Sequence, residues 1–429
     1  MTPPPPGFGE TGSLRIGICA PYDLGRAGGV NTVIRAQADA LIRLGHDVCV
    51  FGATSAALPA GEVSLGGCVS IVVGDTETGF GVDPRSWWTV KRLLRDRRFD
   101  VIHMHEPLMP LPSWFVLWQA DVPVVATFQT YREQGHRWYP KYKWVFDPLM
   151  ARVRVRLAGA DAARRTVAAH FPGDYEIVPN SIDVARFSTP VPRPEAMPAD
   201  RRHVLYVGRI EPRKGVDRLV RAMATVQARV PAVQLVIVGG GPDRQAVESL
   251  ARELGVTVIF AGRVSDADLP RYYQAADVFC SPALGDESFG LVLLEAMAAG
   301  CPIVATNISG YAELLGPANC ARLAAVDDPA SLAGELCAVL ENPELARTLG
   351  ERAAIAAKRY DWRVIATRLE EIYRDAICGA GPQSVSGSHQ LRLDQLTIER
   401  RRAEQVVVRA GLDDAALIED DDAIDAGDG

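Results

Sequence analysis

The chain has 429 residues, 48% hydrophobic and 23% charged, a globular composition with room for about two to three domains. No apolar run reaches ~18 residues, which excludes a membrane-spanning helix, and Met1-Thr-Pro-Pro-Pro-Pro-Gly7 lacks the basic-then-apolar pattern of a signal peptide. The formal charge of −7 is local: residues 411–429 hold eight acids and no base, and without them the chain carries +1, which argues against bulk nucleic-acid binding.

In chain order, residues 1–13 are rich in proline and glycine and read as disordered. Leu14–Ala20 reads as a buried strand, Gly25-Arg-Ala-Gly-Gly29 as a loop, Val30 to Leu44 as a helix and Val48–Phe51 as the next strand. Further strands are predicted near 69–73, 100–104 and 122–127, and the alternation with helices implies a parallel sheet. After the proline-rich Thr189-Pro-Val-Pro-Arg-Pro194, strands at 203–207, 233–238, 256–260, 278–280 and 302–305 imply a second doubly wound α/β unit. The expected domains are 14–188 and 198–360. A helix at 361–378 follows, which Trp362 and Tyr373 suit for docking on the first domain, and then 379–429, a linker, a possible helix at 391–418 and an acidic disordered tail. Two facing units of this kind place a ligand in the cleft between the C-terminal edges of their strands. The eight cysteines (Cys19, Cys49, Cys68, Cys280, Cys301, Cys320, Cys337 and Cys378) form no CxxC pair and read as reduced core thiols of a cytosolic protein.

The most informative stretch is Glu287-Ser-Phe-Gly-Leu-Val-Leu-Leu-Glu295. Its first carboxylate sits in the small-residue loop Leu284-Gly-Asp-Glu287, its second two turns into an apolar helix. At ~3.6 residues per turn the two fall on nearly the same helical face. Loop amides and the helix N-terminus form an anion site, and carboxylates flanking an anion suit a sugar nucleotide. An ordinary buried amphipathic helix is the plainer alternative. In Gly208-Arg-Ile-Glu-Pro-Arg-Lys-Gly215, Arg209 offers a planar fork for phosphate and Lys214 a mobile charge; a basic turn capping a surface helix is the alternative. Gly28-Gly29 lets backbone approach phosphate, or is a plain tight turn. Asp266-Ala-Asp268 starts a helix and reads as a cap rather than a metal site, Asp420-Asp-Asp422 lies in the tail, and no metal is expected. Gly239-Gly-Gly241 lacks the spacing of a dinucleotide fingerprint.

These motifs, with Pro21-Tyr22, Gly28-Gly-Val-Asn31, His103-Met-His-Glu-Pro107 and Val178-Pro-Asn-Ser-Ile-Asp183, resemble retaining GT-B glycosyltransferases of the family 4 type, in particular the bacterial phosphatidylinositol mannosyltransferase group, over residues 14–378. The resemblance implies two facing Rossmann-like domains and hexosyl transfer from a GDP- or UDP-linked sugar, a substrate rather than a cofactor, to a lipid-linked or polyol acceptor. It implies that Arg209 and Lys214 stabilise the departing diphosphate, Glu287 contacts the transferred sugar and Glu295 the ribose. It further implies that Gly29 and the backbone at Phe289, Gly290 and Leu291 complete the donor site, that Val264 and Asp266 contact the base, and that Tyr22 and Asn31 lie toward the acceptor. Helix capping by Ser265 and Asp266 explains that last loop equally well.

Three departures stand out. The family's active-site histidine falls on Gln129, which keeps hydrogen-bonding capacity but cannot carry a proton; His103, His105 and His136 are candidates to compensate. Around Arg152–Asp161 a strand expected of the family is not recognised, and Ser181 replaces a usual glycine. These changes keep a non-catalytic sugar-nucleotide binder as the second reading; an epimerase on the same fold is a third. Finally, residues 86–98 project as a helix with Trp87, Val90, Leu93 and Leu94 on one arc and Trp88, Lys91, Arg92, Arg95 and Arg98 on the other. With Trp138-Tyr-Pro-Lys-Tyr-Lys-Trp144, that face suits an anionic membrane, as a peripheral protein on the inner face of the plasma membrane, or is simply a solvated basic face.

Overall fold

The structure, a computed structural model, describes residues 12–26, 28–73, 76–131 and 138–379. His136, the 391–418 helix and the acidic tail lie outside the described residues.

The first half contributes strands β1 (Arg15–Cys19), β2 (Asp47–Gly52), β3 (Val63–Ser64), β4 (Cys68–Val73), β5 (Thr76–Gly81), β6 (Val101–His105), β7 (Val124–Phe128), β8 (Val153–Ala158) and β9 (Glu176–Ile177). Its helices are α1 (Gly29–Arg43), α2 (Ser86–Arg97), α3 (Ser113–Gln119), α4 (Trp138–Lys141), α5 (Lys143–Met150), α6 (Asp161–Ala168) and α7 (Val184–Ser188). A parallel sheet runs β3-β2-β1-β6-β7-β8-β9. β6 and β7 are buried along their whole length between two helical layers, β6 carrying two buried histidines, His103 and His105, among its apolar residues.

Two sequence expectations are corrected here. The 69–73 run is not in the parallel sheet: β4 pairs antiparallel with β5, from Cys68 opposite Gly81 to Val73 opposite Thr76. Only residues 74 and 75 separate the two strands, and so short a link permits only antiparallel pairing. The strand not recognised near 152–161 exists as β8, parallel to β7 with a register shift at Val124 and Val125. Val153, Val155 and Leu157 are buried while Arg154 and Arg156 point out, so its arginines hide a period-two pattern.

The second half contributes β10 (Arg202–Val207), β11 (Val233–Val238), β12 (Val258–Gly262), β13 (Val278–Ser281), β14 (Ile303–Thr306) and β15 (Ala321–Ala324), parallel in the order β12-β11-β10-β13-β14-β15. Its helices are α8 (Val216–Arg229), α9 (Arg244–Glu253), α10 (Leu269–Ala275), α11 (Leu291–Ala298), α12 (Ser309–Leu315), α13 (Pro329–Glu341) and α14 (Pro343–Ala357). The starts of α13 and α14 are fixed locally: the Asp328 and Asn342 side chains accept from amides of the first turn, and a proline stands at the next position.

The last helix, α15 (Trp362–Cys378), returns to the first sheet. Its Ile365, Leu369, Ile372 and Tyr373 share a core with Ile34, Leu41, Ile16 and Val125. The chain therefore crosses between the halves near 182 and again near 361, and the crossings are tied together: the Ile182 amide donates to the Tyr360 carbonyl and the Trp362 amide to the Ile182 carbonyl, both at 2.9 Å.

Candidate active site

In each sheet the strand order reverses once, between β1 and β6 and between β10 and β13. Open α/β sheets bind ligands outside the carboxyl ends of the strands at such reversals. In the second sheet the flanking loops are 208–215, after β10, and 282–290, after β13, the two segments the sequence singled out.

The 208–215 loop is held from several sides. The Tyr206 hydroxyl donates to the Arg209 carbonyl at 2.6 Å. The Ile210 amide donates to Gly240 at 3.0 Å and the Leu284 amide to Arg213 at 2.8 Å. A Cβ on Gly239 would lie 1.9 Å from the Gly208 carbonyl oxygen, so the glycine turn after β11 is what lets the loop sit this close. Gly215, at φ +63°, would likewise drive a Cβ to 2.2 Å from the Pro282 oxygen.

On this frame the charges form one network. Arg209 lies 3.2 Å and Arg213 2.7 Å from opposite oxygens of Glu211, whose side chain is fully buried. These are ion-pair contacts without hydrogen-bond alignment. Arg213 and Lys214 both donate to Glu287 Oε1. Burial opposes the Arg213 charge, but Glu287 and Glu211 more than offset it, and its pKa is raised. Glu211 and Arg213 stood inside the quoted motif without an assigned role; their alternation with Arg209 and Lys214 was the available signal.

Glu287 and Glu295 do not share a helical face. Asp286, at φ +53°, and Gly290, at φ +85°, turn the chain before α11, which begins at Leu291 and puts Glu295 only about one turn in. Glu287 is a loop residue facing Arg213 and Lys214, whereas Glu295 accepts from the Tyr273 hydroxyl at 2.7 Å. Burial pushes the Glu295 carboxyl up to about 7, against the Tyr273 hydrogen bond and the Arg186 charge. Gly290 gives α11 no side-chain cap, so the first-turn amides near Phe289, Gly290 and Leu291 have no intrahelical acceptor. Asp266 is exposed and Val264 half-buried. The cap there belongs to Ser265, whose hydroxyl accepts from the Asp268 amide at 3.1 Å, while the Asp266 carbonyl takes a hydrogen bond from Arg186.

In the first half, Gln129 stands one residue beyond β7 and is buried. Its amide nitrogen lies 3.2 Å from His105 Nδ1 and 3.4 Å from Asn180 Oδ1. The backbone amides of Gln129 and Thr130 each donate to Glu106 Oε1 at 2.6 Å. Burial lifts the Glu106 carboxyl and lowers His105, to about 3, and its β6 neighbour His103. Gly29 is exposed at the start of α1. Asn31 is buried and donates to the Asp23 and Arg26 carbonyls at 2.8 and 3.0 Å, pinning the loop before α1. Tyr22 packs on Phe80 with ring centroids 5.7 Å apart.

Residues 27–186 match the family model described as Glycosyltransferase Family 4, and residues 189–355 that described as Glycosyl transferases group 1. Phosphatidyl-myo-inositol mannosyltransferase of Mycolicibacterium smegmatis is 35% identical over 379 residues, spanning 87% of this chain and 97% of the relative. The protein of the same name from Mycobacterium tuberculosis is 36% identical, spanning 86% and 98%. The chain belongs to the family 4 glycosyltransferases. The fold is correspondingly GT-B: a glycosyltransferase from Rickettsia africae superposes with a TM-score of 0.68 at 16% identity, over 85% of this chain and 99% of that one. Anabaena HepE in complex with UDP gives 0.67 at 19% identity, over 84% and 100%.

On the surface of this glycosyltransferase, α2 ends at Arg97, and Arg98 caps it in the left-handed region at φ +48°. Val90 and Leu93 are buried and Trp87 packs edge-on to Phe115 at 5.3 Å. Trp88 is 67% exposed, with Lys91 Nζ 5.7 Å from its ring centroid. Lys91, Arg92 and Arg95 are exposed beside it, and Arg95 pairs with Asp96 at 2.9 Å. Trp144 on α5 is 63% exposed. No helix among the described residues is long and apolar enough to cross a membrane.

Proposed function

We propose that this glycosyltransferase moves a hexose, mannose in the reading favoured by its relatives, from a nucleotide sugar to a phosphatidylinositol-type lipid acceptor with retention of configuration. The observation that carries the reading is the charge network at the second sheet's reversal: Arg209, Arg213 and Lys214 gathered around Glu211 and Glu287. A diphosphate entering beside α11 meets these cations and the uncapped helix amides. Arg209 and Lys214 stabilise the charge that grows on the leaving diphosphate. As Lys214 turns to phosphate, Glu287 Oε1 is freed to accept from a sugar hydroxyl. Glu295 holds the ribose hydroxyls, and Val264 and Asp266 border the base. The acceptor hydroxyl attacks C1 from the leaving-group face. The C1–O bond to the diphosphate breaks, the new C1–O bond forms, and a diphosphate oxygen takes the acceptor's proton. Gly29, Tyr22 and Asn31 border the cleft from the first domain.

The test is nucleoside diphosphate release by purified full-length protein from GDP- and UDP-sugars, with and without phosphatidylinositol vesicles. Lipid-dependent release from one donor supports the reading; release indifferent to lipid removes the acceptor assignment. Gln129 favours one rival, a non-catalytic sugar-nucleotide binder, because an amide cannot carry a proton. Donor binding without release, unchanged in Gln129→His, establishes that rival.

The exposed face of α2, with Trp88, Lys91, Arg92 and Arg95, supports docking on an anionic membrane from the cytoplasmic side, where such an acceptor is met.

A further inference from the structure

Behind Gln129 runs a chain of buried polar side chains from four elements. Thr127 comes from β7, His103 and His105 from β6, Gln37 from α1 and Tyr373 from α15. His103 Nε2 lies 2.7 Å from Thr127 Oγ1. His103 Nδ1 lies 2.7 Å from Gln37 Nε2 and 2.6 Å from the Tyr373 hydroxyl. Gln37 Nε2 also donates to that hydroxyl at 3.0 Å, and Gln37 Oε1 lies 3.0 Å from His105 Nε2. The two imidazoles stack at 4.7 Å.

With the Gln37 side-chain amide oriented so that Nε2 faces Tyr373 and Oε1 faces His105, its one donor end and one acceptor end set the tautomers of both rings. Gln37 Nε2 only donates, so His103 Nδ1 is a lone pair and its proton sits on Nε2, toward Thr127. Gln37 Oε1 only accepts, so His105 carries its proton on Nε2. His105 Nδ1 is then a lone pair, and the contact at 3.2 Å is a donation from Gln129 Nε2. The second hydrogen of that nitrogen points to Asn180 Oδ1 at 3.4 Å. Both amide hydrogens of Gln129 are thereby used, and among the described residues nothing donates to its Oε1. Burial, which keeps both histidines neutral, keeps this pattern in place across the physiological range.

We propose that Gln37 and Tyr373 are positioning residues for Gln129: through the tautomer of His105 they hold its amide so that Oε1 is the free atom, an acceptor for a hydroxyl of the sugar or of the acceptor molecule. The inference rests on the placement of Gln129 in the glycosyl-transfer site proposed above. It also gives α15, the helix that returns from the second domain, a task in the first domain's site, because Tyr373 is fully buried there.

The experiment is a double-mutant cycle on the full chain, read as nucleoside diphosphate release with phosphatidylinositol vesicles. Tyr373→Phe removes only the hydroxyl, and thermal denaturation confirms that the variant folds. Its kcat falls about tenfold with the donor KM within about twofold, and in a Gln129→Ala background the same change costs less than about twofold, because the group it acts through is gone. Gln37→Leu, which breaks the chain one step nearer, behaves alike. An equal cost in both backgrounds, or none in either, overturns the proposal. A wild type without turnover refutes the functional reading instead. The positioning claim is then decided by 15N spectra of the histidine-labelled chain: His105 in the Nε2–H form, shifting in Tyr373→Phe, supports it, and a His105 signal unchanged by the substitution overturns it.

Discussion

Glu295→Gln tests the second-domain site through stability rather than activity. Burial raises the Glu295 carboxyl from 4.5 to about 7, so the folded protein holds this proton more tightly than the unfolded chain. The stability it contributes is fully present below the unfolded value and is lost as pH rises through about 7. A rise of that size amounts to about 3 kcal/mol at pH 8 and under ~1 kcal/mol at pH 5. Glutamine keeps the shape and an acceptor for Tyr273 but has no charge to desolvate, so it removes the penalty. At ~2–4 °C per kcal/mol for a domain of this size, Tm rises roughly 6–12 °C at pH 8 and under ~4 °C at pH 5. Thermal denaturation of the full chain without nucleotide, at both pH values, measures the difference. Equal shifts at the two pH values, or a lower Tm at pH 8, would refute the reasoning. Donor turnover falls in the same variant if the carboxylate holds the ribose, giving a more stable but less active protein.

Gly215→Ala meets both a positive φ and the Pro282 oxygen at 2.2 Å, and chemical denaturation should show a loss of about 2–4 kcal/mol. Arg213→Ala leaves the fully buried Glu211 with Arg209, at 3.2 Å, as its one ion-pair partner among the described residues; stability should fall by about 3 kcal/mol, with donor turnover down ~10²-fold, both measurable on one preparation. Charge reversal of Lys91, Arg92 and Arg95, all exposed on α2, should abolish sedimentation with anionic vesicles while leaving Tm within about 2 °C; undiminished vesicle binding would move the docking face elsewhere.

Much of the fold was legible because largely buried strands show as mostly apolar stretches: β1, β6, β7, β10 and β11 read directly. β8 did not, because arginines alternate with its buried residues, and β4 was placed in the wrong sheet because a run of apolar residues carries no record of its partner. At the site, the sequence brought forward Arg209, Lys214 and Glu287, and the structure gathers them with Glu211 and Arg213. The shared face of Glu287 and Glu295 failed because the left-handed residues Asp286 and Gly290 end the helix geometry on which the projection relied. The chain from Tyr373 to Gln129 joins residues separated by up to 336 positions, as in the Gln37–Tyr373 bond, and no local spacing encodes it.

The paired crossings at Ile182 and Asp361 mean that the second domain is a guest in a loop of the first: the chain leaves the first core after Val178, enters the second at Ile182 and returns to the first with α15. A cut within the proline-rich 189–194 segment would leave the C-terminal piece carrying a seventeen-residue plug, α15, whose socket is on the N-terminal piece. The two halves can then be made as separate polypeptides and recombined in solution, assembly bringing Arg43 of one piece to 5.1 Å from the Trp362 ring of the other.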